Sequence, residues 1–244
     1  MPHQEYTAKL LAGKWLSEQT RHMEFSVPEM ARFDFHPGQF VSLVAPNEEG
    51  RLITRAYSIA SAPQNSHFDL CLNRVESGFF SNLLCDLAEG AEVKFHGPHG
   101  LFTLRNPLRD SIFIATGTGI APMRGFLQWI FAEPSRHHGR DLWLVYGTRH
   151  ATSIYYQEEF AALARSFPNF HYIITLSRGV DDWKGERGYV QEHVRSLLTA
   201  MPAERRANMD AYICGLNAMV SSTRKMLQEE LGWNKKQILF ERYD

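Results

Sequence analysis

Cysteine is scarce in this chain of 244 residues, which has only three. Cys71, Cys85 and Cys214 are scattered, and this argues against a disulfide scaffold, a zinc ribbon or a cysteine-ligated iron–sulfur cluster. No stretch approaches about 18 apolar residues, so no membrane span is expected. The first residues lack a basic start followed by a long apolar run, so no signal peptide is expected. A reducing cytoplasm is the predicted location.

The sequence also lacks an excess of positive or negative charge. The formal net charge is −1, so the composition does not suggest that the protein wraps nucleic acid. The histidines of HGPH and RHH stand in turn-like segments without carboxylates at ligand spacing, and no metal site is predicted. Hydrophobic residues make up 44% of the chain, which is enough for a sizeable core.

The two halves of the chain have different hydrophobic patterns. Residues 1–104 contain short apolar runs at a spacing of roughly 8–12 residues, with one helix expected near FSNLLCDL, and this pattern is typical of a β-barrel or sandwich. From residue 111 apolar strands alternate with helices, which predicts an open parallel sheet covered on both faces. The polar run 104–110 predicts a boundary between a first domain, 1–106, and a second domain, 107–244.

The stretch TGTGIAP, at 116–122, lies between a predicted strand and a predicted helix. Its glycines would let the backbone approach a ligand, and the helix start would offer N–H groups to an anion, although a plain strand–helix turn is the alternative. Pro122 stands where the usual dinucleotide fingerprint has its third glycine. The next strand ends in Arg149 rather than in an acidic residue, which favours a phosphate over a ribose hydroxyl.

A basic loop follows the third strand of this half. It contains Ser177, Arg178, Lys184 and Arg187. Arginine forks suit a phosphate monoester by charge and geometry, and a solvated loop is the alternative for each single charge. Because Arg149 and Arg178 follow neighbouring strands, we expect them to converge on an adenosine 2′-phosphate.

Two further stretches are open to both a ligand-binding and a structural interpretation. Cys214 ends a fourth strand beside Gly215, where it is either at the expected ligand crevice or a packing residue. Residues 78–81 precede a helix, and their backbone donors would suit a second phosphate with Ser81 as the helix cap. A simple helix cap explains the same residues equally well.

In their order, the motifs resemble those of the ferredoxin–NADP reductase family over essentially the whole chain. The matching stretches are FHPGQFV, RAYSIAS, GFFSNLL, GPHGLF, GTGIAPMRG, LSRG and ICG. The resemblance implies an antiparallel β-barrel that binds flavin, followed by an α/β parallel-sheet domain that binds the nicotinamide nucleotide. The implied cofactors are FAD and NADPH.

For the flavin, the resemblance implies that Arg55 pairs with the pyrophosphate and that Tyr57 lies against the isoalloxazine ring. Ser58 would offer its hydroxyl to flavin N5. The other implied flavin contacts are Ala56, Leu72, Asn73, Phe79, Phe80, Ser81 and Tyr243.

For the nucleotide, the resemblance implies three groups of residues. Thr118 would lie where flavin and nicotinamide meet. The implied adenosine-phosphate pocket consists of Thr148, Arg149, Ser177, Arg178 and Arg187, and the implied nicotinamide side consists of Gly215, Leu216 and Asn217. Ser58, Cys214 and Glu241 are the implied catalytic residues.

The implied reaction is hydride transfer from NADPH to FAD N5, followed by single-electron transfer to a separate ferredoxin or flavodoxin. Such carriers are acidic, and the candidate docking residues are Arg21, Arg51, Arg74 and Arg105. A monomer is favoured. One alternative is an NADH-dependent flavin or oxygenase-component reductase, and another is a non-catalytic flavin-binding electron-relay subunit.

Overall fold

The computed structural model describes residues 4–179 and 182–243. Contacts along the chain define two compact units. The first comprises the residues up to Leu104 together with Arg124–Ala132, and the second comprises Arg105–Met123 together with the residues from Glu133 onward. The two-domain fold class is confirmed, because an antiparallel sheet is followed by a parallel α/β sheet. The division at residue 106 stays a prediction.

The first unit is built on six strands and one helix. Its elements are β1 (Tyr6–Trp15), β2 (Thr20–Ser26), β3 (Phe40–Pro46), β4 (Leu52–Ser58), β5 (His67–Asn73), α1 (Phe79–Asp86) and β6 (Glu92–His99). All paired strands are antiparallel, in the order β4-β3-β6-β1-β2-β5. An antiparallel bridge between Ile59 and Leu70 joins the chain just after β4 to β5, so the two ends of the sheet approach each other.

Aromatic side chains fill the interior of the first unit. The ring of Phe68 lies 5.4 Å from both Phe25 and Phe95, and 5.5 Å from Phe33, centroid to centroid. All four rings are almost fully buried. The alternation of side chains along the strands places the rings of Phe25, Phe68 and Phe95 on the inner face of the sheet, and Phe33 adds to them from the loop between β2 and β3. Inward-facing rings of this kind fill the interior of a small barrel.

The second unit alternates strands and helices. Its elements are β7 (Ser111–Thr116), α2 (Ile120–Phe131), α3 (Pro134–His137), β8 (Leu142–Thr148), α4 (Gln157–Ser166), β9 (Phe170–Leu176), β10 (Glu186–Arg187), α5 (Val190–Thr199), α6 (Ala203–Ala207), β11 (Asp210–Leu216), α7 (Asn217–Lys225) and β12 (Ile238–Tyr243). From Arg124 onward, the residues of α2 group with the first unit.

The strands of the second unit run parallel in the order β10-β9-β8-β7-β11-β12. After β7 the chain adds strands on one side, and from β11 it adds them on the other. The switch point therefore lies between β7 and β11, and ligands of such sheets bind at the carboxyl ends of the strands at this point.

Several boundaries differ from the sequence-based expectation. Strand β10 is an additional short strand, which forms because Glu186 and Arg187 pair with the end of β9. The last helix gives way to a π-helical turn at Met226–Glu230, and the turn Lys235–Gln237 precedes β12. No helix in the described part of the chain combines the length and apolarity needed to span a membrane.

Candidate functional site

Strand β4 is an edge strand of the first unit and has an open face. Arg55 and Ala56 are exposed, Tyr57 is half-buried, and Ser58 is buried at the end of the strand. Burial raises the pKa of Tyr57 to about 12. Arg55 and Tyr57 share one side of the strand, as alternate residues must, while Ser58 points to the other side.

The end of β5 is held against β2 by a side-chain hydrogen bond. The hydroxyl of Thr20 donates to Oδ1 of Asn73 over 2.5 Å. Leu72 is buried, whereas Asn73 is exposed. The structure therefore places the predicted flavin-contacting backbone of Leu72 and Asn73 at a fixed strand end.

Ser81 does not cap helix α1, and this corrects the sequence-based expectation. The N-cap is Gly78, which makes no side-chain capping bond. The Ser81 hydroxyl instead folds back on the preceding turn, where it accepts from the Val75 N–H at 3.0 Å and lies 3.1 Å from the Gly78 carbonyl oxygen. The Asn82 amide donates to the same two residues' carbonyls, over 3.0 and 2.8 Å.

These side chains shape the turn while the backbone donors of the first helical turn remain available to a ligand. The residues concerned are Phe79, Phe80 and Ser81, whose N–H groups precede the first intrahelical bond. A Cβ on Gly78 would overlap the Ser81 hydroxyl, so a larger residue there would displace that hydroxyl from its contacts with the turn. A helix start of this kind is suited to a phosphate.

In the second unit, two loops meet at the switch point between β7 and β11. Gly117–Gly119 form a tight turn after β7, with Thr118 half-buried. A Cβ on Gly119 would overlap the carbonyl oxygen of Cys214, and one on Gly215 would overlap the Thr116 hydroxyl. The sequence analysis assigned no role to Thr116. Its buried hydroxyl has no hydrogen-bond partner in the described residues.

We expect Gly119→Ala to lower the free energy of unfolding by about 2–3 kcal/mol and to weaken nucleotide binding, because the new methyl group meets backbone rather than a movable side chain. Urea unfolding and nucleotide titration measure the two effects. Gly139→Ala is the control, since Gly139 has a φ of 69° but open space around it, and should cost only about 1 kcal/mol. Equal effects of the two substitutions would contradict the close approach at Gly119.

Cys214, Glu241 and Tyr243 form a cluster at the carboxyl ends of β11 and β12. The parallel register pairs Cys214 with Glu241 and Leu216 with Tyr243. Burial raises the pKa of the Cys214 thiol well above its usual value, and the Glu241 carboxylate adds to this, while a hydrogen bond from Tyr243 partly offsets it. Asp244 lies outside the described residues. Leu216, the last residue of β11, and Asn217, the first residue of α7, are exposed.

We expect the Cys214 thiol to stay protonated and resist alkylation at pH 8. Its folded-state pKa is raised, so its contribution to stability is constant below about pH 8 and falls as the pH rises above the ordinary thiol pKa of about 8.5. Iodoacetamide should modify Cys214 at least about 100-fold more slowly in the native protein than in urea, because the reaction requires local opening. Peptide mapping resolves the three cysteines, and rapid native modification of Cys214 would contradict the assignment.

The ends of β8 and β9 bring two predicted arginines together. The Arg178 N–H donates to the Arg149 carbonyl over 3.0 Å, and the Ser177 N–H donates to the Thr148 carbonyl over 3.0 Å. Arg149 and Arg178 are exposed, and neither guanidinium is paired with a carboxylate within residues 4–179 and 182–243. These two backbone hydrogen bonds continue the pairing of β8 with β9 beyond the ends of the strands. This pairing explains why Arg149 and Arg178 lie next to each other. Val180 and Asp181, in the loop that follows, lie outside the described residues.

Arg187 is on β10 and contacts the same loop from the other side. Its guanidinium donates to the carbonyls of Gly179, over 3.1 Å, and Trp183, over 3.3 Å. His193, which the sequence analysis missed, has Nε2 at 2.9 Å from the Arg187 carbonyl and at 3.0 Å from the Thr175 hydroxyl. Arg187 therefore shapes the loop, and its phosphate contact stays a prediction.

One of the four predicted docking arginines is wrongly assigned. Arg21 is 8% exposed, so it cannot form part of a docking surface. Arg74 is bound to the Asp86 carboxylate, and Arg105 lies 3.6 Å from the buried carboxylate of Asp210. Arg51 is exposed. No cluster of three potential metal ligands occurs in the described ranges.

The residues present fit the implied cofactors. In the first unit, the open edge strand carries a cation and a half-buried tyrosine, and the start of α1 offers backbone donors. In the second unit, Gly119 and Gly215 leave no room for side chains beside the buried Thr116 hydroxyl, and Arg149 and Arg178 converge at the same sheet edge. A pyrophosphate and an adenosine phosphate both need this combination of cations and backbone donors.

Known proteins show the same two-part organisation. Residues 7–104 match the Oxidoreductase FAD-binding domain, and residues 113–225 match the Oxidoreductase NAD-binding domain. Ferredoxin–NADP reductase B of Sorangium cellulosum strain So ce56 is 42% identical over 98% of both chains. The chloroplastic root isozyme 1 of ferredoxin–NADP reductase from Arabidopsis thaliana is 30% identical, covering 96% of this chain and 72% of its own.

A solved structure of a ferredoxin NADP+ reductase from Neisseria gonorrhoeae, with bound FAD and NADP, has a TM-score of 0.82 and 23% identity, with 99% of each chain covered. Fold and site thus define an oxidoreductase that uses FAD and NADPH, as the sequence predicted. The relatives show to which family of oxidoreductases the chain belongs. The chain belongs to the ferredoxin–NADP reductase family.

Proposed function

We propose that this protein transfers electrons between NADPH and a ferredoxin or flavodoxin, with FAD as its bound cofactor. The main support for NADPH as the nucleotide is the hydrogen bond from the Arg178 N–H to the Arg149 carbonyl. With this bond, two exposed arginines lie side by side at one edge of the sheet. When bound, FAD supplies the exchange of one or two electrons, and the protein supplies position and electrostatics.

In the first unit, Arg55 would neutralise the flavin pyrophosphate, and the N–H groups of Phe79, Phe80 and Ser81 would donate to it. Tyr57 would lie against the flavin ring, with Ala56, Leu72 and Asn73 as further contacts. Ser58 would direct its hydroxyl at the reacting edge of the ring. The exposure of Arg55 and Ala56 on an edge strand supports this assignment, because both residues are accessible to a ligand.

In the second unit, Arg149, Arg178 and Ser177 would bind the adenosine 2′-phosphate, with Thr148 beneath them and Arg187 shaping the loop. Gly215, Leu216 and Asn217 would lie along the nicotinamide, and Thr118 would contact it from the opposite loop. The close approach of Gly119 to Cys214 supports this arrangement, since it leaves a flat backbone surface where two loops meet.

Cys214 and Glu241 would act on the nicotinamide, and Tyr243 would cover the flavin until the nucleotide enters. The buried thiol is neutral, so it would contact the ring by packing rather than by charge. Glu241 would be the local carboxylate that influences proton movement near the reacting groups. The strand register that pairs Cys214 with Glu241, near the carboxyl ends of β11 and β12, supports a shared role for the cluster.

The electron carrier would be a separate acidic protein, and a ferredoxin or a flavodoxin fits. The relatives named ferredoxin–NADP reductase support this choice of partner. Arg51, Arg74 and Arg105 remain candidates for the docking face. A cytoplasmic monomer is proposed.

Anaerobic stopped-flow mixing tests the proposal. NADPH should bleach the flavin absorption rapidly, NADH should do so more slowly, and the reduced protein should then reduce candidate ferredoxins or flavodoxins. Faster bleaching by NADH would favour a flavin or oxygenase-component reductase. A flavin that neither nucleotide bleaches would leave only an electron-relay role.

A further inference from the structure

A buried arginine closes the carboxyl end of helix α1. Nη1 of Arg21 donates to three carbonyl oxygens in the last turn, those of Leu84 at 3.0 Å, Cys85 at 3.0 Å and Leu87 at 2.8 Å. A helix end leaves such carbonyls short of backbone donors. Among the residues that the structure describes, only the Leu84 carbonyl of the three also accepts a backbone N–H, that of Leu87 over 3.2 Å. A guanidinium on β2 is thus the structural link between the sheet and the end of the helix.

The neighbouring strand is adapted to this arginine. A Cβ on Gly13 of β1 would overlap the Arg21 guanidinium, although Gly13 does not have a positive φ that would itself require glycine. The Trp15 ring centroid lies 5.9 Å from the guanidinium carbon of Arg21. The sequence therefore keeps space for the arginine at a strand position where glycine would otherwise only weaken the sheet.

We propose that Arg21 is a positioning residue for FAD, because it fixes α1 from its carboxyl end and so aims the donors of its first turn at the pyrophosphate. The helix has eight residues, so its two ends are only about 12 Å apart. The positive charge of Arg21 offsets the partial negative charge at the carboxyl end of the helix. The attraction between the positive amino end of the helix and an anionic ligand is then less reduced by that negative charge. At the other end, Ser81 and Asn82 fix the turn that precedes the helix.

This inference rests on the proposed flavin site, and release of FAD from the purified holoprotein tests it. After dilution, the rise in flavin fluorescence gives the dissociation constant. Arg21→Met is expected to raise the FAD dissociation constant about tenfold. Gly13→Ala should have a similar effect, because it displaces the guanidinium without removing it. Arg21→Lys should restore part of the affinity, since it keeps the charge but not the fork of donors.

Val27→Ala is the control for a general loss of stability, because Val27 directly follows β2 and is fully buried in the core of the same unit. It should lower the unfolding midpoint and leave FAD release unchanged. Unchanged FAD release in both Arg21→Met and Gly13→Ala would overturn the inference, and so would an equal loss of affinity in Val27→Ala. If the wild-type protein itself bound no FAD, the proposed function would fail instead.

Discussion

Replacing Arg178 with glutamate is expected to lower kcat/KM for NADPH about 100-fold or more, and to change kcat/KM for NADH by less than about threefold. A hydrogen bond to a charged group contributes about 1.5–3 kcal/mol, and the introduced carboxylate adds repulsion against the 2′-phosphate. NADH has no 2′-phosphate, so it loses neither interaction. Steady-state reduction of ferricyanide with each nucleotide measures the two values.

Arg140→Glu is the matched control for this experiment. Arg140 is an exposed arginine in the same unit, but it precedes β8 and therefore lies at the amino edge of the sheet, opposite Arg178. The control makes the same change of charge and should leave both nucleotides unaffected. Equal losses for NADPH and NADH in Arg178→Glu would exclude the phosphate assignment and favour an NADH-dependent reductase.

Local patterns in the sequence were sufficient to predict the parallel sheet and the close approach of Arg149 to Arg178. Apolar strands such as Leu142–Thr148 are buried on both faces and read as continuous hydrophobic runs. Because the carboxyl ends of parallel strands share one edge, the residues that follow β8 and β9 had to approach each other. The backbone bond between Arg178 and Arg149 confirms that expectation.

Contacts between residues far apart in the sequence were not predictable in the same way. Arg21 looked like a surface cation, because nothing near it in the sequence indicates that it meets the carbonyls of residues 84–87. Ser81 fitted the composition of a helix cap, yet the cap position is set by where the chain turns, and that turn is at Gly78. His193 and Thr175 come together only because the chain returns to pair β10 in parallel with the end of β9.

The exposed edge strand β4 carries Arg55, whose replacement is expected to have a second large effect, this time on FAD binding. Arg55→Met is expected to yield a protein that loses its yellow colour during purification, with a dissociation constant for FAD raised about 100-fold. Arg55 is exposed, so its charge is not needed to compensate a buried partner, and the loss is expected to fall on ligand binding rather than on folding. Two charge-assisted bonds to a pyrophosphate are worth about 3 kcal/mol or more.

The ratio of flavin absorption to protein absorption in the purified variant measures this loss, and titration of the variant with FAD gives the constant. Arg32→Met is the control, since Arg32 is an exposed arginine of the same unit that pairs with Asp34. It should retain its full flavin content. If Arg55→Met also kept its flavin, the pyrophosphate would have to be held elsewhere, and the N–H groups at the start of α1 alone would have to account for its binding.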